Sequence, residues 1–217
     1  MSLEDVHVSL KKSVLPLAVD TFLREANQRV NEFVQSNSER ETGFVPSDYV
    51  AIYDALRAIC DASLSPGNSL CEWGSGLGVV SCLASMLGFT ACGIEIESTL
   101  VNASRVLADD FDLPVDFVHG SFVPPGTEAH VAEAYVDNNA EYAWLIKDAE
   151  NAYTKHGVQL DSFDIVFAYP WPGEEHMIER LFEDGAANGA LLLMLSDIAG
   201  ISVHRRIEKH SDSGMLN

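Results

Sequence analysis

The chain has 217 residues, of which 47% are hydrophobic and 21% charged, which is ordinary for a globular domain and excludes disorder throughout. It carries 33 acidic and 13 basic residues, a formal net charge of −20 that repels the phosphates of nucleic acid and favours neutral or cationic substrates. No apolar run reaches the roughly 18 residues of a membrane helix, and the first residues lack the apolar segment of a signal peptide. We therefore expect a cytoplasmic protein that binds neither membranes nor nucleic acid.

The cysteines indicate a reducing compartment and no metal site. None forms a CxxC pair, and none lies near a histidine at the spacing of zinc ligands. Each stands alone in an apolar stretch, so we predict buried, free thiols for Cys60, Cys71, Cys82 and Cys92.

Two helices are predicted before the first strand. Apolar residues spaced by three and four from Leu15 to Val34 indicate an amphipathic helix, and we assign residues 1–42 to a helical extension. A second helix is expected to begin at Ser47 as its N-cap and to run to Ala62. Its predicted buried stripe consists of Val50, Tyr53, Leu56 and Ile59.

From residue 70 onward, apolar strands alternate with helices, which predicts a Rossmann-like, mostly parallel sheet with helices on both faces over residues 43–217. The tail ISVHRRIEKH adds at most one short strand. We therefore expect a sheet that lacks one strand or pairs its edge with a second copy, which favours a homodimer. The predicted strands are 70–73, 90–96, 115–119, 165–169 and 190–195, and the predicted helices are 77–87, 98–110 and 174–184.

A long helix-compatible insertion is expected between the third and fourth of these strands, at about residues 124–160. Its aromatic residues lie near the carboxyl ends of the strands, where α/β folds bind ligands. The segment is either a lid or substrate platform, or an additional structural helix or oligomer contact.

The glycine-rich segment LCEWGSGLG is the strongest functional signal. A strand ends in Glu72, and the alternating glycines Gly74, Gly76 and Gly78 allow the backbone N–H groups before the next helix to approach a ligand. A dinucleotide fingerprint would place its third glycine at Val79. An acid before the loop suits a cationic amine, such as the methionine moiety of S-adenosylmethionine, better than a pyrophosphate.

A second acid follows about twenty residues later, the spacing at which a carboxylate accepts the two hydroxyl groups of a ribose. Glu95 and Glu97 alternate with apolar residues and lie on the same face of a strand. We prefer Glu95, because Glu97 already turns into the following helix.

With these residues in place, the chain resembles the class I, Rossmann-like methyltransferases that use S-adenosylmethionine. CEWGSGLG resembles their first motif, GIEIESTLVNASRVL their second, and FVHGSF the loop after their third strand; GFVPSDY resembles a segment of the non-SET histone-lysine methyltransferases and related small bacterial proteins. The resemblance implies that Ser121 occupies the place of an acid that commonly binds the adenine amine. The implied cofactor-binding residues are Pro46, Ser47, Glu72, Gly74, Ser75, Gly76, Gly78, Glu95, Ile96, Ser121 and Phe122.

Candidate catalytic residues lie in FDIVFAYPWPGEEH, at the end of the fourth predicted strand. Enzymes that methylate base amines carry Asp, Asn or Ser, two prolines and an aromatic residue here, and this chain matches only the last two places. Tyr169 and Trp171 could instead present π faces to a cationic or flat substrate, or they could form a hydrophobic corner. Glu174 and His176 are the nearest candidate general bases, although Glu174 could simply favour the helix N-terminus.

These features predict a methyltransferase acting on a protein side chain or a small molecule. The acidity and the GFVPSDY segment favour a lysine-rich or otherwise cationic protein acceptor. Two alternatives stay open at this point: a non-catalytic module that binds S-adenosylmethionine, and a nicotinamide-dependent oxidoreductase.

Overall fold

Helices and strands alternate along the chain in a computed structural model that describes residues 2–11, 14–36, 47–127, 129, 131, 151–196 and 199–208. The strands of this part of the chain are β1 (Ser2–Asp5), β2 (Ser69–Trp73), β3 (Thr90–Glu95), β4 (Val115–His119), β5 (Ile165–Ala168), β6 (Leu191–Ser196) and β7 (Gly200–Ile207). The α-helices are α1 (Leu17–Ser36), α2 (Tyr49–Asp61), α3 (Val79–Met86), α4 (Ser98–Asp110), α5 (Ala152–His156) and α6 (Glu175–Gly185), and a 3₁₀ turn spans Leu160–Ser162.

The strands form one sheet in the order β1-β7-β6-β5-β2-β3-β4. β7 pairs antiparallel with both β6 and β1, and all other pairs are parallel. β2 lies between β3 and β5, so the chain builds the sheet first to one side of β2 and then to the other. In open α/β sheets, ligands bind at the carboxyl ends of the strands beside such a reversal.

Each face of the sheet is covered by its own apolar cluster. Leu70 and Cys71 of β2 belong to different clusters because successive strand residues point to opposite faces. The first cluster, beneath α1 to α4, contains Phe22, whose ring meets Phe111 edge to face at 5.1 Å between centroids. The second lies beneath α5 and α6 and contains Leu181. The predicted sheet with helices on both faces is thus confirmed.

The predicted elements are found with small shifts, and the bounds of α4 and β4 agree with the prediction. The predicted N-cap of α2 is wrong: the side chain of Asp48, not Ser47, accepts a hydrogen bond from the Ala51 N–H at 3.0 Å. Asp48 lies three residues before that donor, which is the reach of a capping carboxylate. Val50 is also wrongly placed in the buried stripe, since it is 44% exposed and Ile52 is buried instead.

The sheet does not lack a strand, contrary to expectation. The tail forms the full eight-residue β7, and Ser2–Asp5 add β1 outside it, with Leu3 opposite Arg206. Antiparallel pairing with β7 makes β1 run parallel to β6, so the N-terminus completes one edge of the sheet. The homodimer and the domain boundary after residue 42 stay predictions, and residues 37–46 lie outside the described part.

Most of the predicted insertion lies outside the described residues. Of positions 124–160, the structure describes 124–127, 129, 131 and 151–160, which include α5. Tyr153, on α5, is buried in the second apolar cluster. No helix in the described ranges is long and apolar enough to cross a membrane.

The cysteines are free thiols, but one expectation about them is wrong. Cys71 and Cys82 are buried and Cys92 is partly buried, as an apolar environment predicts. Cys60 is exposed because it lies in the last turn of α2, on the side away from the core.

Candidate functional site

The candidate site lies at the carboxyl ends of β2, β3, β4 and β5. Glu72 is the penultimate residue of β2, Glu95 the last of β3, and Tyr169 follows β5 directly. Parallel pairing places these strand ends at one edge of the sheet. The two acids and the glycine loop are therefore neighbours in space, as the sequence predicts.

The glycine loop turns sharply from β2 into α3. The N–H groups of Gly74 and Ser75 both donate to the Ile94 carbonyl at 2.9 Å, which ties the loop to β3. Gly74 and Gly78 have φ of +70° and +72°, the left-handed region that favours glycine. A Cβ on Gly78 would lie 2.4 Å from the Phe117 ring, whereas one on Gly74 would meet nothing within 4 Å. Gly74 thus borders open space where a ligand could approach the backbone.

The side chain of Ser75, a predicted cofactor-binding residue, points into the protein. A Cβ built on Gly93 would lie 2.8 Å from its Oγ, and this hydroxyl is buried without a hydrogen-bond partner. The side chain of Ser75 is therefore not placed to serve a ligand, and its backbone N–H and carbonyl both have partners within the protein.

Glu72 is buried on the α1–α4 side of the sheet. Its Oε2 accepts hydrogen bonds from both the backbone N–H and the hydroxyl of Ser81, at 2.8 and 2.6 Å. Burial raises the pKa of Glu72 to about 8, the Ser81 hydrogen bonds oppose that rise, and the nearby Glu95 carboxyl adds to it. Within the described part of the chain no basic side chain contributes to that pKa, so the carboxyl group is available to pair with a cationic ligand. Sequence reasoning missed Ser81, although a hydroxyl in the first turn after the loop is a usable signal.

Glu95 is also buried, but both of its oxygens are occupied by backbone groups. Oε2 accepts from the Gly76 N–H at 2.8 Å, and Oε1 accepts from the Glu97 N–H at 2.9 Å. Burial raises the pKa of Glu95, and hydrogen bonds from the backbone of Glu97, Gly76 and Ile96 oppose the rise. Glu97 is exposed at the N-terminus of α4, which agrees with our preference for Glu95.

The loop after β4 lies beside Glu95. Glu95 is the register partner of His119, and the Gly120 N–H donates to the Glu95 carbonyl at 2.9 Å. Ser121 is buried, and its hydroxyl accepts a hydrogen bond from the Val123 N–H at 3.2 Å. The sequence-predicted adenine contact Ile96 is partly exposed, and its carbonyl lies 2.9 Å from Nε2 of His119.

Phe122 stacks on a tryptophan that sequence analysis did not select. The rings of Phe122 and Trp73 are nearly parallel, at 12°, with their centroids 5.3 Å apart. Trp73 is buried, whereas Phe122 is only partly buried. Part of the Phe122 side chain is therefore exposed. The signal for Trp73 was its position at the end of β2.

The upstream segment contributes a third unpredicted residue, Tyr49. Burial raises the pKa of its phenol above the ordinary range, the nearby carboxyl group of Glu72 and the phenol of Tyr169 raise it further, and the Ser47 backbone opposes the rise. Tyr49 is therefore near both Glu72 and Tyr169. Ser47 is partly buried beside it, and Pro46 lies outside the described residues.

The three candidate catalytic side chains have different surroundings. Tyr169 is half-buried against the first apolar cluster. Glu174 is buried, and its carboxylate accepts a hydrogen bond from the Trp171 N–H at 3.2 Å, which closes the loop after β5. The side chain of His176 is 81% exposed and lies 3.5 Å from Glu179 on the same helix. Their catalytic roles stay predictions, with Tyr169 the one that lies near Tyr49.

The chain is similar in fold to solved methyltransferase structures. An RNA methyltransferase from Salinibacter ruber, in complex with S-adenosyl-L-homocysteine, matches with a TM-score of 0.50 at 17% identity, over 77% of this chain and 97% of that chain. A SAM-dependent methyltransferase from Thiobacillus denitrificans, in complex with the same ligand, matches with a TM-score of 0.44 at 18% identity. That match covers 75% of this chain and 53% of the Thiobacillus protein.

No protein-family model matches the chain, and neither does any curated protein. At 17% identity the Salinibacter structure establishes the fold alone. Together with the strand order, it shows that this chain has the fold of the class I S-adenosylmethionine-dependent methyltransferases. The comparisons do not support the finer resemblance to the non-SET histone-lysine methyltransferases.

Proposed function

We propose that the protein is an S-adenosylmethionine-dependent methyltransferase whose acceptor is a protein side chain or a small molecule. One observation carries the proposal: two buried carboxyl groups, Glu72 and Glu95, stand at the ends of adjacent parallel strands on either side of a glycine loop. Their separation along the chain suits a ligand with an ammonium group at one end and a ribose further on.

The residues present fit this cofactor. The Glu72 carboxyl is held through Oε2 by Ser81, and burial raises its pKa to about 8, so an ammonium ion beside it would supply the missing counter-charge. The open space at Gly74 gives a ligand access to the loop backbone. Both features are expected of a cofactor cradle, and neither is needed for the sheet itself.

Each part of the site then has a role toward the cofactor. Glu72 would hold the ammonium group and Glu95 the ribose hydroxyls. The backbone of Gly74–Gly78 would border the amino-acid part, with the N–H groups of residues 74–76 and 78 already engaged within the protein. Ile96, Ser121 and Phe122 would border the adenine, while Pro46 and Ser47 would close over the methionine end. When bound, S-adenosylmethionine supplies a methyl group on a sulfonium, and the protein's contribution is chiefly to align it with the acceptor.

The acceptor would enter beside Tyr169 and Trp171, where aromatic faces suit a cationic or flat group. Glu174 would act by holding the loop that carries them, since its carboxylate binds the Trp171 backbone. His176 would be the general base, and its side chain is exposed to solvent. A net charge of −20 favours a cationic or neutral acceptor over nucleic acid, and a homodimer stays part of the proposal.

Binding is tested by calorimetry with S-adenosylmethionine, S-adenosylhomocysteine and NAD. We expect micromolar binding of the first two, and a loss of more than tenfold in Glu95→Ala because two charge-assisted hydrogen bonds to the ribose disappear. Glu97→Ala is the matched control, since it removes an exposed acid two residues away and should bind like the wild type. Binding of NAD alone would replace the proposal with an oxidoreductase.

Turnover is tested with radiolabelled S-adenosylmethionine and three acceptor pools: lysine-rich proteins, small-molecule amines and RNA. We expect labelling in the first or second pool. Tight binding of the cofactor with no labelling in any pool would support the non-catalytic module instead.

A further inference from the structure

The chain returns from the insertion at Asn151, directly against the loop that follows β4. Residue 151 forms a parallel bridge with Ser121, and the Ala152 N–H donates to the Ser121 carbonyl at 3.1 Å. The side-chain amide of Asn151 donates from Nδ2 to the Val123 carbonyl at 2.7 Å. Among the described residues, hydrogen bonds from the backbone and from a side chain thus join these two segments.

The other end of the same side chain caps α5. Oδ1 of Asn151 accepts hydrogen bonds from the N–H groups of Tyr153 and Thr154, at 3.0 and 3.2 Å. Asparagine can do both because its amide has a donor and an acceptor. The arrangement links the start of α5 rigidly to the Ser121–Val123 loop.

This loop borders the part of the site that lies beyond Glu95. Ser121 follows His119, the register partner of Glu95, by two residues, and Phe122 is stacked on Trp73. The position of the Val123 carbonyl therefore sets how the loop lies over the strand ends. Asn151 is the described side chain that fixes this carbonyl from outside the loop.

We propose that Asn151 is a positioning residue that holds the Ser121–Val123 loop in the conformation that receives the adenine of the cofactor. This inference rests on the proposed function. If it is correct, the loop after β4 and the segment that follows the insertion together form the adenine side of the site. The competing explanation is that Asn151 only caps α5, in which case any good capping residue would serve equally well.

Two substitutions distinguish the hydrogen bond from Asn151 to the Val123 carbonyl from the capping of α5. Asn151→Asp keeps the size and the capping acceptor but replaces the donor to Val123 with an anionic oxygen. Asn151→Ser keeps a capping oxygen without adding charge and is too short to reach both partners. Gln159→Glu is the matched control, because it makes the same amide-to-carboxylate change at an exposed side chain eight residues further along the chain.

Binding of S-adenosylhomocysteine and of 5′-methylthioadenosine, which lacks the amino acid, is measured for each variant by calorimetry. We expect both Asn151 variants to bind both ligands about tenfold more weakly, and Gln159→Glu to bind like the wild type. Ser81→Ala, at the opposite end of the site, should weaken only S-adenosylhomocysteine. Amide hydrogen exchange of residues 120–123 without ligand should also be faster in the Asn151 variants alone.

Unchanged affinity in both Asn151 variants, with a wild-type protein that binds, would overturn the positioning role and leave the proposed function intact. Equal effects of Gln159→Glu and Asn151→Asp, with no effect of Asn151→Ser, would trace the loss to the added charge and would likewise overturn the positioning role. A wild-type protein that binds neither ligand would overturn the proposed function, and this inference with it.

Discussion

The two buried acids at the carboxyl ends of β2 and β3 are stabilised in different ways. Glu95 has hydrogen bonds from backbone N–H groups to both oxygens, supplied by the glycine loop and by the start of α4. Both hydrogen bonds to Glu72 reach the same oxygen and come from one residue, Ser81. The ribose end is therefore preorganised by the backbone, whereas the amino-acid end holds a carboxyl group whose ionised form lacks a counter-charge.

The largest expected effect comes from removing the charge of Glu72, at the amino-acid end of the site. Glu72→Gln keeps the size of the side chain but leaves no anion to pair with an ammonium group. We expect S-adenosylhomocysteine to bind about a hundredfold more weakly, equivalent to about 3 kcal/mol for a buried charge-assisted hydrogen bond. Calorimetry at pH 8 measures this, and an affinity within threefold of wild type would show that Glu72 does not face the ligand.

The same variant sharpens the contrast through the pH dependence of stability. The pKa of Glu72 rises from 4.5 to about 8 in the folded protein, so the folded state binds the proton more tightly than the unfolded state does. The stabilisation of the folded state that results from this tighter proton binding is fully present below pH 4.5, and it is lost as the pH rises through 8.

Between pH 5 and 9, the wild type should therefore lose about 2 kcal/mol relative to Glu72→Gln, allowing for relaxation of the buried site. Urea denaturation of both ligand-free proteins at several pH values measures the difference. Parallel stability curves would mean that Glu72 is already ionised without a cation.

A smaller effect is expected from the residue that holds Glu72. Ser81→Ala removes the shorter of the two hydrogen bonds, so the ionised carboxylate becomes less favourable and binding should weaken about fivefold, or about 1 kcal/mol. Ser75→Ala is the control, because its buried hydroxyl has no partner to lose. If the two variants bind equally well, the Ser81 hydroxyl does not prepare Glu72 for the ligand.

Local patterns predict much of this site. Glu72 was selected because it lies just before the glycine loop, and Glu95 because it ends a strand about twenty residues later. The bounds of α4 and β4 likewise follow from signals that lie close together along the chain. Such local signals cannot distinguish Ser47 from Asp48 as the N-cap, since both residue types cap helices well. The structure decides it by the one side chain that reaches the Ala51 N–H.

Other parts of the site depend on partners distant in sequence. Tyr49 lies on α2, Trp73 points to the opposite face from Glu72, and Asn151 lies beyond the insertion. A sequence without an alignment contains no signal that pairs such positions. The exposure of His176 is another example, because its helix could have presented that residue to either side.

The sequence by itself determined the order of helices and strands, the glycine loop and the two acids, because each depends on residues close together along the chain. The tertiary structure decided which residues complete the site and where the sheet ends. Ser2–Asp5 carry no apolar alternation, and they become a strand only because β7, some two hundred residues later, offers an unpaired edge. Pairing over such a separation depends on the folded sheet rather than on local propensity.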